Sequence, residues 1–470
     1  MKRYLYILLL LLICHLSAAQ DVQRFAERHT MGTARYVGMG GAMTAIGGDP
    51  SAVQDNPAGL GLYRSSELSI SIDENFDITQ QCTAHSNQSA NSYKENRLAM
   101  PQLSLVWALG DPKRQRGLIY NNFMLSINRL ANYNRNLHVQ GNAMGMLPTI
   151  CMLTNGLDEN YLIEMPWDDV EIGWLSILGY EGYLIDPVND KQWVPAIDMT
   201  AGELSISEQG YLNQYTISWA SNISNQWYVG VGMNIPSLNY TKHTNYYESS
   251  HINSAELKSM FHASGIGVGA SLGFIYRPMQ CLRIGASLHT PTMMSLSIQT
   301  ESDMQTQVSG TIYEISTPRE VYTVELRSPW RSSVSLAGQI GSTALIAAQY
   351  DYAHEAEMDD VHTLRVGAEL QVYRGLFINA GYVYESSFLK QEAPIGLNYN
   401  SVRGDMDYRY TPYSQYISAG FGYRGHVVIA QLAYQYRSQL LHQYATEMQT
   451  SPIDVQTRTH RIVATLAWKF

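Results

Sequence analysis

Cysteine is scarce in this chain: four residues in 470, at positions 14, 82, 151 and 281. With Cys14 set aside as part of a leader, the other three are widely and irregularly spaced. No Cys-x-x-Cys pair occurs, which excludes a thiolate metal knuckle and any disulfide framework that uses all three. Positive charge is also short, with 31 Lys+Arg against 41 Asp+Glu and a formal net charge of −10, so no nucleic acid is expected as a partner. After the first nineteen residues no uninterrupted apolar run approaches the roughly 18 residues of a helical membrane span. G-x-S-x-G, H-E-x-x-H and G-x-x-x-x-G-K-[ST] are all missing. The thirteen histidines are scattered, and Gly265, Gly267 and Gly269 sit inside an alternating run, where glycine marks a bulge or close packing rather than a phosphate loop. The expectation is a protein that is not an enzyme, with no cofactor and no metal site.

What is present begins at the first residue. Lys2 and Arg3 precede an apolar run from Tyr4 to Ile13 and a small-residue stretch ending Ala18-Ala19, the pattern of a secretion signal over 1–19. About ten apolar residues are too few to anchor the chain in a bilayer, which needs about 20. Ile13 stands where a lipid-attachment site at Cys14 would need a small residue. Tyrosine outnumbers phenylalanine by 33 to 9, and only 15% of residues are charged. A ring that is apolar with a wet hydroxyl suits a membrane interface, where barrels carry aromatic girdles.

From about Ser65 onward one theme repeats: a run of ten or so residues alternating in polarity, stopped by a turn. The runs fall near 66–76, 99–109, 117–130, 211–221, 226–240, 264–277, 281–299, 321–339, 342–353, 362–373, 376–388, 414–423, 427–437 and 459–470, fourteen in all. Ile462, Ala464, Leu466, Trp468 and Phe470 share one face, while Arg461, Thr465 and Lys469 share the other. Tyr215, Ile217 and Trp219 likewise oppose Gln214, Thr216 and Ser218. A sandwich would alternate in the same way, but here the connections also alternate. Short links at 110–116, 222–225, 278–280, 340–341, 374–375 and 424–426 take turns with long ones at 77–98, 131–210, 241–263, 300–320, 354–361, 389–413 and 438–458. That is the arrangement of an up-and-down transmembrane barrel with tight turns at one end and large loops at the other. Lipid offers no partner for a sheet edge, so fourteen antiparallel strands must close on themselves. The expected fold class is an all-β, 14-stranded antiparallel transmembrane β-barrel over 65–470, located in the outer membrane of a Gram-negative bacterium. Trp468 and the terminal Phe470 match the aromatic ending that serves as a barrel assembly signal, which implies the outer-membrane assembly machinery as a partner.

Residues 20–64 do not alternate and are crowded with Gly and Ala, which lets backbone pack against backbone. From Gly32 to Leu60 this stretch resembles the N-terminal hatch of the outer-membrane protein transport family of FadL and TodX type, the long-chain fatty-acid transporters. The likeness is carried by Asn56-Pro57-Ala58, by Gly38, Gly40, Gly41 and Ala42, and by Asp49-Pro50-Ser51-Ala52-Val53. Further resemblance lies in SPWRSSVSLAGQIG at 328–341, HTLRVGAEL at 362–370, INAGYVYESS at 378–387 and YSQYISAGFGYR at 413–424. It implies a fourteen-stranded barrel plugged by the hatch at 20–64, with Gly40, Gly41, Asp49, Asn56, Pro57 and Ala58 as its motif. One departure is the long link at 131–210, where Trp167, Trp174, Leu175 and Leu178 are interleaved with acidic residues. This suggests an amphipathic helix over the extracellular mouth and a surface that collects substrate.

The resemblance implies passive uptake of a hydrophobic small molecule such as a long-chain fatty acid, between partners that are outer-membrane lipid and lipopolysaccharide. Burying a chain yields about 0.8 kcal/mol per CH₂, so no dedicated charge is needed. Two other readings remain open at this point. Some members of the family are labelled hemin receptors, which draws attention to His243 and His251. The other reading is a surface antigen that displays loops and transports nothing.

Overall fold

The structure is a computed structural model that describes residues 24–82, 92–164, 167–169, 172–189, 191–341, 343–354, 360–387, 402–446, 448–449 and 451–470; the expected signal at 1–19 lies outside them. The leading segment carries two short helices, α1 (Ala34–Gly38) and α2 (Pro50–Asp55), and a 3-10 turn at Pro57–Leu62. The wall then starts with β1 (Glu67–Cys82), β2 (Ser92–Gly110), β3 (Leu118–Asn132) and its continuation β4 (Arg135–Asn142). Three helices, α3 (Met146–Thr154), α4 (Glu159–Ile163) and α5 (Trp174–Glu181), and a hairpin of β5 (Ile185–Asn189) and β6 (Gln192–Pro195) follow. The wall resumes with β7 (Ala201–Ile223), β8 (Trp227–Ser249), β9 (Ser254–Met279), β10 (Leu282–His289), β11 (Met293–Val308), β12 (Thr311–Ser316), β13 (Glu320–Arg327) and β14 (Trp330–Ile340). It finishes with β15 (Ala344–His354), β16 (Val361–Tyr373), β17 (Leu376–Ser386), β18 (Tyr408–Tyr410), β19 (Tyr413–Arg424), β20 (Val428–Tyr444) and β21 (Ile453–Lys469).

Neighbouring strands pair antiparallel throughout. β1 pairs with β21 from Glu67↔Lys469 to Cys82↔Asp454, so the sheet closes. Fourteen wall positions result once β4 is taken with β3, the loop strands β12 and β18 are set aside, and two interrupted strands are counted once each. β10 and β11 are the lower and upper halves of the run at 281–299, and β14 and β13 are the lower and upper halves of the run at 321–339. The breaks fall at Pro291 and Pro329, which have no N–H to donate to a ladder. Side chains take over there: Ala270 N donates to Thr290 Oγ1 at 2.9 Å, and Thr292 N donates to Ser328 Oγ at 2.9 Å.

The alternating pattern is expressed inside out relative to a soluble protein. Ile217, Trp219, Leu432, Ile462, Leu466 and Trp468 are exposed on the outer surface, while Gln214, Thr216, Ser218, Gln435, Arg461 and Thr465 are buried within. Only a hydrocarbon surround makes that arrangement favourable, because water would leave the apolar belt unburied. The strands are longer than a membrane crossing requires. β7 and β8 have 23 residues and β9 has 26, against about 9–11 for a tilted span. Residues 241–249 and 254–263, which the sequence places in a loop, therefore extend the wall beyond the lipid.

The link between β4 and β7 folds into a cap with its own core. Met146, Ile150, Leu162, Trp174, Ile177, Leu178 and Trp193 pack on the upper inner wall at Leu204, Ile206, Tyr246, Leu257, Met304 and Leu441. At the N-terminus of α3 the Glu248 carboxylate accepts from the backbone N–H groups of Met144 at 2.7 Å, Gly145 at 2.9 Å and Met146 at 3.2 Å. Those donors would otherwise be orphaned at a helix start.

Candidate functional site

The leading segment fills the bore and is anchored on all sides by polar contacts. Arg35 pairs with Glu369 on β16, its Nε 2.6 Å from Oε2. Ala34 N donates to Thr465 Oγ1 on β21 at 2.7 Å, and Thr44 N donates to Gln349 Oε1 on β15 at 3.0 Å. Asn122 Nδ2 on β3 donates to the carbonyls of Leu60 and Tyr63 at 2.8 and 2.9 Å. Asn56 ties the segment to itself and to the wall: its Nδ2 donates to Thr44 O at 2.8 Å and to Phe274 O at 3.3 Å, and its Oδ1 accepts from Ala58 N at 3.0 Å. Pro57 opens the 3-10 turn that Asn56 caps. Asp49 caps α2, accepting from Ser51 N at 2.9 Å and from Thr33 Oγ1 at 2.8 Å. Burial pushes the Asp49 carboxyl above its ordinary value against the pull of Arg35. Gly40 and Gly41 take the positive φ angles of +62° and +71° that turn the chain after α1.

The wall meets this segment at glycines that sequence reasoning did not single out. A Cβ on Gly381 would lie 2.2 Å from Gly40 N, one on Gly273 2.1 Å from Asn56 Oδ1, and one on Gly230 2.4 Å from the Pro57 carbonyl carbon. The available signal was an inward-facing glycine within an otherwise bulky strand.

The residues expected to collect substrate lie in the cap. Trp174, Leu175 and Leu178 are buried in its core, and Trp167 packs edge-on against Trp174 with ring centroids 5.8 Å apart. Collecting substrate on these side chains would need the cap to open. Trp468 faces outward, and Phe470 is exposed at the short-turn end, its N–H bonded to Ser66 O at 3.0 Å. His243 and His251 are not brought together. His243 points outward from β8 opposite Met260, and His251 sits in the turn between β8 and β9.

Above the leading segment the bore has two unlike sides. Leu212, Leu238, Tyr240, Phe261, Ala263, Leu296 and Leu326 of β7, β8, β9, β11 and β13 form an apolar side on which Phe25 rests. Phe25 packs edge-on against Tyr133 and Tyr240, with centroids 6.0 and 5.3 Å apart. Across the bore lies a cavity of about 80 Å³ among Arg135, Arg409, Arg437, Arg461, His29, Glu27 and Asp77. A second cavity, of about 520 Å³, opens at the short-turn end among Arg35, Arg64, Arg283, Arg424, Lys469, Glu67 and Glu369. The β2–β3 ladder stops at Gln102↔Asn128, short of the upper cavity's lining residues Asn132 and Tyr133. Just beyond it β3 bulges at Leu130 and β4 pairs with β7 instead.

No family model matches the chain, and no curated protein does. Solved structures do. A FadL homologue from Pseudomonas aeruginosa aligns over 95% of this chain and 99% of its own at 11% identity and a TM-score of 0.55. The toluene transporter TodX of P. putida aligns over 95% and 99% at 12% identity and a TM-score of 0.53. A TodX variant described as a monoaromatic hydrocarbon channel aligns over 94% and 99% at 13% identity and a TM-score of 0.54. The fold is therefore that of the FadL-type outer-membrane barrels: fourteen strands, closed and antiparallel. Of these, TodX is named a toluene transporter and its variant a monoaromatic hydrocarbon channel.

Proposed function

We propose that this protein is an outer-membrane channel for passive passage of hydrophobic small molecules, with residues 24–63 acting as its hatch. The observation that carries the reading is a lipid-facing closed barrel whose bore is filled by a Gly- and Ala-rich segment held through hydrogen bonds, ion pairs and small apolar contacts with Ala337, Ala347, Ala433 and Val463 of the wall. Water and rearranged partners replace such contacts at modest net cost, of about 0.5–1.5 kcal/mol per neutral hydrogen bond, so the segment is the movable part. The break in the β2–β3 ladder is where a sideways route would join the bore. Aromatic hydrocarbons and long-chain fatty acids are both candidate cargo, delivered through the lipopolysaccharide leaflet. Asn56 and Pro57 hold the hatch geometry.

Cells making the protein should take up labelled toluene or a labelled fatty acid faster than deletion cells, and purified protein in liposomes should do the same. Equal rates for both compounds in both assays would overturn the reading. Within it, unchanged uptake by Asn56→Ala would remove the role given to that motif.

A further inference from the structure

The short-turn end of the barrel, which faces the periplasm, reverses the charge of the chain. Overall there are 31 Lys+Arg against 41 Asp+Glu. At this end the cations form two sets, and the carboxylates beside them are Asp111, Glu67 and Glu369. The first set, Arg64, Arg283, Arg424 and Lys469, lines the cavity of about 520 Å³ beneath the hatch residues Gly47 and Gly48. Arg283, Arg424 and Lys469 are chain neighbours of Ile284, Tyr423 and Trp468, which are exposed on the outer face, so these three cations point into the bore. Arg424 pairs with Glu369 at 3.4 Å, and Arg283 Nη1 donates to Ile46 O at 2.9 Å. The second set lies on the turns: Lys113, Arg114 and Arg116 between β2 and β3, and Arg374 between β16 and β17, all exposed. Among the described residues neither Arg64 and Lys469 nor any cation of the second set has a carboxylate within 4 Å. A surface of one sign repels itself and attracts a partner of the other sign. The wall separates the vestibule from lipid, so phospholipid head groups reach the turn set alone. A compact anion would neutralise one set and leave the other. An extended acidic surface meets both.

We propose that the short-turn mouth is a docking surface for an acidic protein of the periplasm, whose carboxylates meet the exposed turns and enter the vestibule beneath the hatch. This goes beyond the channel reading, because passage of cargo does not require it. A partner docked there stands where cargo would leave the bore, the position of an acceptor.

The probe is a fluorescent decaglutamate peptide, titrated against the full protein in phosphatidylcholine nanodiscs, with a Gly-Ser peptide of the same length and phosphatidylglycerol vesicles for comparison. Decaglutamate is expected to bind about tenfold more tightly than the Gly-Ser peptide, and less tightly as salt screens the charges. Lys113→Gln with Arg114→Gln, and separately Arg64→Gln with Lys469→Gln, should each remove most of that preference, while Lys113→Arg with Arg114→Lys should keep it. Lys258→Gln with Arg319→Gln, exposed cations of the long-loop end, should change nothing. Equal binding of the two peptides, or an equal loss in the long-loop variant, overturns the docking surface. Loss confined to the turn pair, with decaglutamate displaced by phosphatidylglycerol vesicles, assigns the rim to a membrane surface and overturns the protein partner. Toluene uptake is read separately on the same variants and is expected to be unchanged, so failure of the channel reading is distinguishable from failure of this one.

Discussion

Two segments close this barrel, and they differ in the size of the side chains that hold them. The cap between β4 and β7 closes the long-loop end with a core of Trp, Leu, Ile and Met packed onto the extended wall. The hatch closes the middle with small apolar residues such as Ala34, Val37 and Ala45 packed on Ala337, Ala347 and Ala433, with backbone contacts against wall glycines, and with a set of discrete polar anchors. Apolar burial is non-directional and is lost only when a large area separates, whereas a hydrogen bond is readily exchanged for another. A closure of the first kind stays in place, and one of the second kind is suited to moving. On the proposed reading, gating falls to the hatch and sealing to the cap.

The comparison breaks first, and with the largest effect, at Trp174. Truncation by Trp174→Ala removes the largest side chain of the cap core and should cost about 3–5 kcal/mol of cap stability. Limited proteolysis should then cut within 143–200 while the barrel keeps its heat-modifiable mobility; a cap as resistant as before would show that it is not held by this core. Glu369→Gln should act chiefly on the hatch, since its contact with Arg35 is the shorter one and that with Arg424 of β19 spans 3.4 Å. It leaves Arg35 in the bore without its charge partner, a loss of about 3–5 kcal/mol for a buried pair, and conductance of the reconstituted channel should rise. Unchanged conductance would mean that this anchor does not hold the hatch. Asn56→Ala removes three hydrogen bonds and should weaken docking by about 1–3 kcal/mol, visible as faster cross-linking of a cysteine placed at Ala42. No change in that rate would set Asn56 aside as an anchor.

The smallest effect concerns pH. His29 is neutral in the docked hatch, its value held well below 6.5, and an undocked segment would return it to about that value. Docking is therefore at full strength above pH 6.5 and weakens as pH falls through 6.5 towards the depressed docked value. Asp49 and Asp55, raised by burial, work in the other direction. The difference between the native protein and His29→Gln isolates the histidine. Native conductance should rise relative to that of the variant between pH 6.5 and 5, and parallel curves would remove His29 from the account.

Much of the wall was legible in advance. The faces of Tyr215–Trp219 and Ile462–Trp468 point as their alternation requires, and the strand number follows from counting runs. The runs at 281–299 and 321–339 hid breaks at Pro291 and Pro329, because hydroxyl groups of Thr290 and Ser328 carry the polarity pattern across them. The cap was legible as an apolar cluster, but not the side on which it is buried. Amphipathic spacing reads the same whether a helix faces an open mouth or its own core.

By itself the sequence determined the closed, lipid-facing wall, because hydrocarbon outside and water inside leave a period-two trace in every strand and forbid a free edge. Only the tertiary structure decided which glycines admit the hatch, and how Arg135, Arg437 and Arg461 come to share one cavity with His29. His29 and Arg135 lie hundreds of positions from Arg437 and Arg461, and the two pairs meet across the bore. Their meeting depends on the register at which the ring closes, which no local pattern records.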